Sequence, residues 1–207
     1  MRATHITATE EARTYLTQAD PVLGAVIARY APISYGLAAN DFEALVSNII
    51  GQQLSGRVAD VIWGRVETLL GGIVTPETIL QADPEAMRAA GMSYQKVAYT
   101  KNLADAAARR QITFDRFDGL PDAEIIAQLT AVKGIGKWTA EMFLIFSLGR
   151  ADVFSLGDGG LAAAMDALYG DGERLPPKAR EKIAARWAPY RSIASLYLWK
   201  SLENRTE

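Results

Sequence analysis

Apolar residues recur three and four positions apart along most of the chain, which is the spacing of one face of an α-helix. Phe42, Leu45 and Ile49, for example, fall on one such face. Sustained alternation of polar and apolar residues, which is typical of half-buried strands, is missing. The pattern therefore predicts an all-α fold. The predicted helices cover residues 8–18, 20–30, 41–53, 55–70, 76–82, 84–90, 93–110, 122–130, 137–148, 158–169, 176–187 and 189–204.

Capping side chains support several of these helix starts. Asp41 and Ser55 each precede an apolar helical pattern. Thr75 and Asp83 each stand before a proline at the first helical position, where the missing N–H of proline is tolerated. Ser93 is placed to cap the helix that follows it. Glycines, which commonly end helices, occur at Gly71, Gly72, Gly91, Gly149 and 170–172.

Residue composition excludes several kinds of site. The 207 residues suffice for one compact unit or two small lobes. No cysteine is present, so disulfides, an iron–sulfur cluster and thiolate zinc sites are excluded. His5 is the only histidine, which argues against a histidine-based metal site or a Ser-His triad. No apolar run reaches the roughly 20 residues of a membrane helix, and no signal-peptide core is visible, so a cytoplasmic protein is expected.

The charge balance bears on possible partners. A net charge of −2 argues against a nonspecific DNA coat protein, which is usually strongly basic. It is compatible with an enzyme that has one local basic face. Scattered charges alone are typical of a solvated surface. The basic residues available for such a face include Arg57, Arg65, Lys96, Lys101, Lys133 and Lys137.

A Gly-x-Gly turn joins two predicted helices. One helix ends at 129–132, the turn runs through Lys133, Gly134, Ile135 and Gly136, and Lys137 opens the next helix. The glycines allow close approach of the backbone to another molecule, and a helix N-terminus presents unpaired N–H groups to an anion. This pattern indicates a cradle for a DNA phosphate. A plain corner between two helices is the equally weighted alternative.

A single acid, Asp158, stands at the start of the predicted helix 158–169. Nearby N–H groups and the helix dipole keep a carboxylate ionised at this position. An ordinary N-cap is the simpler interpretation and is favoured by spacing alone. Asp152 is the competing acid, and we expect it to make a structural or helix-end contact.

Several blocks carry a resemblance to a known family. The hairpin, the run WTAEMFLIFSLGRADVF and the element GDGGL resemble the helix-hairpin-helix (HhH-GPD) DNA glycosylase superfamily, and within it the AlkA-like branch, 3-methyladenine DNA glycosylase II. Together with the matching blocks, the resemblance covers about residues 35–205. The further blocks are IIGQQLSGRVA at 49–59, GMSYQKVAYTKNLA at 91–104 and RWAPYRSIASLYLW at 186–199.

The resemblance implies a reaction and an acid. It implies a DNA glycosylase that flips out and hydrolyses alkylated purines, of the 3-methyladenine and 7-methylguanine type, in base excision repair. Asp158 falls on the family's catalytic aspartate, where it would stabilise a cation-like sugar, orient water, or do both. Trp138 occupies the place where bifunctional members carry a Schiff-base lysine. A monofunctional enzyme without lyase activity is therefore expected.

The resemblance also assigns contacts to base and DNA. Trp138 and Trp199 match aromatic positions of the base pocket, although aromatic residues at helical spacing are most often core. Met142 stands where one subgroup has a pocket tyrosine, and Gly159 is small where a bulkier residue can occur. Gln53, or as second choice Leu54, would fill the gap left by the flipped nucleotide. The residues assigned to phosphate binding are Lys133, Gly134, Ile135, Gly136 and Lys137, with Arg57 and Lys96 as weaker candidates.

The same resemblance implies an architecture and partners. A six-helix barrel lobe of about 38–150, with the hairpin at about 129–148, would face a second lobe of 1–37 plus 151–207 across the active-site cleft. The backbone carbonyls of Thr130, Val132 and Ile135 match positions that coordinate a structural Na⁺ or K⁺ in relatives. No cofactor is expected for catalysis. The expected partner is double-stranded DNA with damaged bases, and a monomer without membrane contact is expected.

Two other functions stay open at this point. Met142 and Gly159 leave room for a glycosylase that acts on an oxidised or deaminated base. A non-enzymatic helix-hairpin-helix protein that binds DNA is the more distant alternative, and Asp158 with the WAPYRS block argues against it.

Overall fold

The structure is a computed structural model that describes residues 3–30 and 32–203. Each predicted helix has a counterpart, which confirms the all-α prediction. The helices are α1 (Glu10–Ala19), α2 (Pro21–Arg29), α3 (Asp41–Gly51), α4 (Gly56–Leu69), α5 (Pro76–Gln81), α6 (Pro84–Ala89), α7 (Tyr94–Ala108), α8 (Asp122–Thr130), α9 (Lys137–Phe146), α10 (Gly159–Tyr169), α11 (Pro177–Ala185) and α12 (Arg191–Glu203). No helix in the described part of the chain is long and apolar enough to cross a membrane.

Three short elements were not predicted. Strands β1 (His5–Thr7) and β2 (Ser34–Gly36) pair antiparallel with Ile6 opposite Tyr35, and a 3₁₀ helix spans Phe114–Gly119. Each strand has three residues, which is too few for an alternating pattern to stand out from the neighbouring helices.

The predicted caps hold with two corrections. Ser55 stands at the N-cap position of α4, but its side chain makes no capping hydrogen bond. Thr75, Asp83 and Ser93 each accept the backbone N–H three residues later, at 3.3, 3.1 and 3.2 Å. The cap of α3 is Asn40 rather than Asp41, because the Asn40 side chain accepts the N–H of Phe42 at 3.0 Å. Asp41 is instead the first helical residue, where its charge is favourable to the helix dipole.

Two compact units make up the chain, and the first consists of the segment up to Leu37 and the segment from Leu144 onward. The second unit is Ala38–Phe143. The boundary lies inside α9 rather than near residue 150, because the last turn of α9 packs within the first unit. There Phe146 contacts Tyr35 and Trp199, with ring centroids 6.2 and 5.7 Å away.

A buried carboxylate organises the first unit. Asp20, which is 1% exposed, caps α2 by accepting the N–H groups of Val22 and Leu23. Its Oδ2 accepts the indole N–H of Trp187 and the hydroxyl of Tyr169, both at 3.0 Å. Burial, followed by the negative charge of Asp20, raises the pKa of the Tyr169 hydroxyl far above its ordinary value. One side chain thus ties α2 to α10 and to the WAPYRS segment.

The second unit packs its helices around an apolar core. Its helix pairs include α5 with α7, α3 with α4, and α3 with α7. An edge-to-face chain of Phe42, Phe114, Phe117 and Phe143 runs through it, with centroids 5.5–6.3 Å apart. Phe117 and Phe143 are fully buried. This core supports the turn between α8 and α9.

Candidate active-site acid and phosphate-binding hairpin

The turn between α8 and α9 depends on Gly134. Its φ of +113° lies in a region that residues with a Cβ rarely adopt. A Cβ there would also lie 2.5 Å from the Cβ and 2.7 Å from the Cδ1 of Tyr99. Gly134 is therefore required both by its own backbone and by its packing against α7.

Gly136 has a different environment. A Cβ at this position would meet no atom within 4 Å. Between the two glycines, Ile135 is 4% exposed and anchors the turn inward, as the sequence predicts. Lys133 and Lys137 are exposed on either side. Nothing inside the described protein requires a glycine at 136, so the backbone there is open to an outside molecule.

Two side chains, one at the end of α3 and one in α7, donate hydrogen bonds to carbonyls of the hairpin. The Gln52 amide donates to the Gly134 carbonyl at 3.2 Å and to the Thr139 hydroxyl at 3.4 Å. The Asn102 amide donates to the Lys133 carbonyl at 3.0 Å. These bonds hold the two carbonyls in place, and the Ile135 N–H donates to the Val132 carbonyl at 3.0 Å within the turn.

The loop after α3 has an unusual conformation. Gln53 is exposed with a φ of +59°, which is uncommon for a residue other than glycine. Leu54 is 37% exposed, and its N–H donates to the Gly51 carbonyl at 3.1 Å. An open cavity of about 510 Å³ lies between this loop and the hairpin. Its lining residues are Gln52, Gln53, Tyr99, Gly134, Ile135, Gly136, Trp138 and Thr139.

Two lysines considered for DNA contact have structural partners. The Lys96 ammonium donates to the Ile50 carbonyl in the last turn of α3 at 2.7 Å, and burial lowers the pKa of Lys96. The Lys101 ammonium donates to the carbonyls of Leu80 and Ala82 at the end of α5, at 3.0 and 2.8 Å. Cations stabilise helix C-termini in this way. Lys96 is therefore a helix cap, whereas Arg57 is exposed.

Asp158 is the N-cap of α10 and is buried, with 8% exposure. Its Oδ1 accepts the Leu161 N–H at 2.7 Å and the indole N–H of Trp199 at 2.9 Å. The N-cap interpretation is confirmed, and the catalytic role of Asp158 stays a prediction. An ionised carboxylate that is desolvated and held by donors can stabilise a neighbouring positive charge.

Asp152 differs from Asp158 in its partners. Its carboxylate accepts two bonds from the Arg191 guanidinium, at 2.7 and 2.9 Å, and the Arg191 backbone N–H at 3.2 Å. This paired arrangement at the start of α12 is the structural helix-end contact that the sequence predicts.

The remaining predicted residues divide between the two units. Asp158 and Trp199 belong to the first unit, and the hairpin, Gln53, Leu54, Trp138 and Met142 belong to the second. Trp138 is 41% exposed, while Met142 is 7% exposed. Among the described residues, no group of three or more His, Cys, Asp or Glu side chains could hold a metal ion.

Three residues with clear roles were missed. The sequence pattern singles out none of them: Gln52, which contacts the hairpin, Phe146, which packs on Trp199, and Gly160, which lies beside Trp199 and Asp158. The adjacent glutamines at 52–53 and the adjacent glycines at 159–160 were the signals in the sequence that could have identified two of these residues. Their contacts join positions far apart in the chain, so one sequence alone does not identify them.

Comparison with known proteins agrees with this geometry. Residues 46–189 match the family model of the HhH-GPD superfamily of base excision DNA repair proteins. The chain belongs to this superfamily. The DNA-3-methyladenine glycosylase 1 of Schizosaccharomyces pombe is 36% identical over 167 residues, which are 77% of this chain and 72% of that HhH-GPD relative.

Solved structures are similar over almost the whole chain. A DNA-3-methyladenine glycosidase from Bacillus halodurans has a TM-score of 0.86 at 38% identity, covering 100% of this chain and 94% of that one. The S. pombe 3-methyladenine DNA glycosylase Mag1, solved in complex with abasic DNA, has a TM-score of 0.84 at 31% identity, covering 95% and 98%. The two-unit helical architecture is thus that of HhH-GPD glycosylases.

Proposed function

We propose that the protein is a monofunctional DNA glycosylase that hydrolyses alkylated purines, of the 3-methyladenine and 7-methylguanine type, in base excision repair. The observation that carries the proposal is the buried carboxylate of Asp158, held at the N-terminus of α10 by two N–H donors. The names of the superfamily relatives with 36% and 38% identity support the choice of alkylated base.

The chemistry needs a fixed negative charge. Cleavage of an N-glycosidic bond passes through a sugar with cation-like character, as in glycoside hydrolysis. Asp158 stabilises this charge and orients the attacking water. A purine alkylated at N3 or N7 already carries a positive charge and leaves as a neutral base, so a strong general acid is not needed.

Trp138 argues for hydrolysis alone. A lyase of this superfamily uses an amine at the position that follows the Gly-x-Gly-[KR] element, where the amine attacks the sugar and forms a Schiff base. An indole ring is not a nucleophile. The product is therefore an abasic site in an uncut strand.

The periodicity of α9 supports the proposed base pocket. Trp138, Met142 and Phe146 recur every four residues and share one face of the helix. Phe146 packs on Trp199, whose indole reaches Asp158. Electron-rich rings favour a cationic base through stacking and cation–π attraction. In the proposed pocket, Met142 would contribute a flexible, polarisable surface.

We propose that the hairpin and the loop after α3 bind the DNA. Lys133, Gly134, Ile135, Gly136 and Lys137 would hold a phosphate through backbone N–H groups, the helix dipole and positive charge. Exposed Gln53, with Leu54 beside it, is the proposed plug for the gap in the duplex. The duplex would approach the cavity that the two segments share.

A monovalent cation at the hairpin remains part of the proposal. The donors would be the carbonyls of Thr130, Val132 and Ile135, and oxygen donors without side-chain charge suit Na⁺ or K⁺. The Val132 carbonyl already accepts the Ile135 N–H at 3.0 Å, which leaves its second lone pair for an ion. This ion would strengthen phosphate binding, and no cofactor takes part in the chemistry.

Release of free base from methylated duplex DNA tests the proposal. We expect the wild-type protein to release 3-methyladenine and 7-methylguanine and to leave strands that break only after alkali. Asp158→Asn keeps the size of the side chain and an oxygen that can accept the Leu161 N–H, but it removes the charge. We expect it to bind abasic duplex as the wild type does and to release base at least about a hundredfold more slowly. Equal release by both proteins would refute the role of Asp158.

Met142 keeps one alternative open, because it replaces the ring that one subgroup has in its pocket. A panel of duplexes with oxidised, deaminated or alkylated bases distinguishes the two. Faster release of an oxidised or deaminated base would move the proposal to that lesion class. Binding without any release would favour a DNA-binding protein.

A further inference from the structure

Two N–H groups converge on one oxygen of Asp158. The Leu161 N–H belongs to α10 itself, and the second donor, the Trp199 indole, belongs to α12. Two donors from different elements fix the plane of a carboxylate, whereas a cap bond alone leaves it free to rotate. We infer that Trp199 is a positioning residue for Asp158, and that its N–H, rather than only its ring face, is what the reaction needs. This inference rests on the proposed function.

Gly160 is the residue that permits this contact. A Cβ at position 160 would lie 3.1 Å from Asp158 Oδ1, 3.1 Å from Trp199 Cδ1 and 3.2 Å from Trp199 Nε1. All three distances are shorter than ordinary van der Waals contacts, so an alanine would require the indole, the carboxylate or both to shift by a few tenths of an ångström. Gly157, on the other side of Asp158, has nothing within 4 Å of its Cβ position. The requirement for a small residue is therefore specific to 160.

The environment of the indole supports a fixed orientation. The ring of Phe146 packs against Trp199 at a centroid distance of 5.7 Å and a tilt of 35°. Phe146 in turn contacts the edge of Tyr35. One face of Trp199 is thereby covered, and its N–H edge is directed at Asp158. A ring held in this way is suited to orienting a carboxylate.

A second buried indole–carboxylate pair provides an internal comparison. Trp187 Nε1 donates to Asp20 Oδ2 at 3.0 Å, within the same unit but far along the chain from Asp158. The donor–acceptor distances of the two pairs are nearly equal, at 2.9 and 3.0 Å. If a substitution disturbs only the Asp158 pair, the Asp20 pair therefore serves as a reference for the intact fold.

Indole N–H signals test the contact without any activity. In an ¹⁵N-labelled sample the chain's four tryptophans give four indole signals, which are assigned with Trp→Phe variants. We expect Asp158→Ala to shift the Trp199 signal and to speed its hydrogen exchange, and to leave the Trp187 signal in place. A Trp199 signal that does not respond would overturn the inference, whether or not the protein is a glycosylase.

Kinetics then test the role. Trp199→Phe keeps an aromatic ring, but it removes the N–H and the five-membered part of the indole. We expect the maximal rate of single-turnover base release to fall roughly tenfold or more, the effect of losing one hydrogen bond to a charged group, with the protein concentration for half-maximal rate on methylated duplex unchanged. Gly160→Ala, which keeps the whole indole, should slow release in the same way, and Gly157→Ala should not. A rise in that half-maximal concentration with an unchanged maximal rate would assign the tryptophan to base stacking instead and would overturn the inference.

Failure of the wild type to release any base would refute the proposed function. The indole signals would still decide the contact between Trp199 and Asp158.

Discussion

The two glycines of the hairpin make a matched pair, because the protein itself requires only one of them. An alanine at 134 would have to adopt a φ of +113°, which costs on the order of 1–3 kcal/mol. It would also overlap Tyr99, since its Cβ would lie 2.5 Å from the Cβ of that residue, and overpacking of this kind costs about as much again. We therefore expect Gly134→Ala to lower the free energy of unfolding by about 2–5 kcal/mol.

Gly136→Ala should have the opposite profile. Its Cβ would enter open space and its φ is not in the left-handed region, so we expect the free energy of unfolding to change by less than about 0.5 kcal/mol. If a phosphate approaches this backbone, the added methyl group stands where the phosphate oxygens must lie. We therefore expect affinity for an abasic duplex to fall roughly tenfold or more.

Two assays separate these effects. Urea unfolding followed by tryptophan fluorescence measures stability, and we expect the midpoint of Gly134→Ala to fall without a change in slope. Fluorescence anisotropy with a labelled abasic duplex measures binding, at a temperature where both variants are folded. A Gly136→Ala protein that binds as the wild type does would refute the phosphate cradle, and an unchanged midpoint in Gly134→Ala would refute the steric argument.

Two further predictions concern charge. Replacing Lys133 or Lys137 by alanine should weaken binding equally for all sequences and reduce the slope of log K against log salt by about one, as measured in a salt titration; an unchanged slope would place that lysine outside the phosphate contacts. The N–H of Leu175, and then the Arg180 guanidinium, hold the pKa of Asp166 below its ordinary value, so this carboxylate stabilises the fold above its unfolded-state pKa, and that stability is lost as the pH falls. The stability difference between wild type and Asp166→Asn should therefore be largest near pH 7 and shrink toward pH 3 in urea titrations, and a difference that is independent of pH would contradict it.

Local interactions explain why so much of the helical fold was predictable. Ser93 caps α7 through an N–H three residues away, and Asp83 does the same for α6. Such bonds depend only on neighbouring residues, so the sequence pattern contains all the information they need. The inward side chain of Ile135 was also predictable, because isoleucine is among the residue types most often buried.

Contacts between distant residues explain what was not predictable. Lys96 has the positive charge of a DNA-contacting residue, but it caps the C-terminus of α3. Its partner, the Ile50 carbonyl, lies 46 positions earlier in the chain. Gln52 braces a carbonyl 82 positions later. A charge or an amide in one sequence does not reveal whether its partner is a phosphate or a helix end, because the answer depends on tertiary packing.

Asp158 shows why the chemistry of a site is harder to predict than its fold. The feature that makes an aspartate a good N-cap, a carboxylate oxygen facing the N–H groups of a first helical turn, also holds that carboxylate in place. Cap and catalytic acid are therefore not competing interpretations, and no spacing rule separates them. Asp83 at the start of α6 is an exposed cap, whereas Asp158 is 8% exposed and accepts a second donor from α12, next to the glycine that admits it. Asp20, which is 1% exposed, also caps a helix and also accepts an indole N–H. Burial and an indole donor therefore do not by themselves make a cap catalytic, and base release by Asp158→Asn decides the role of Asp158.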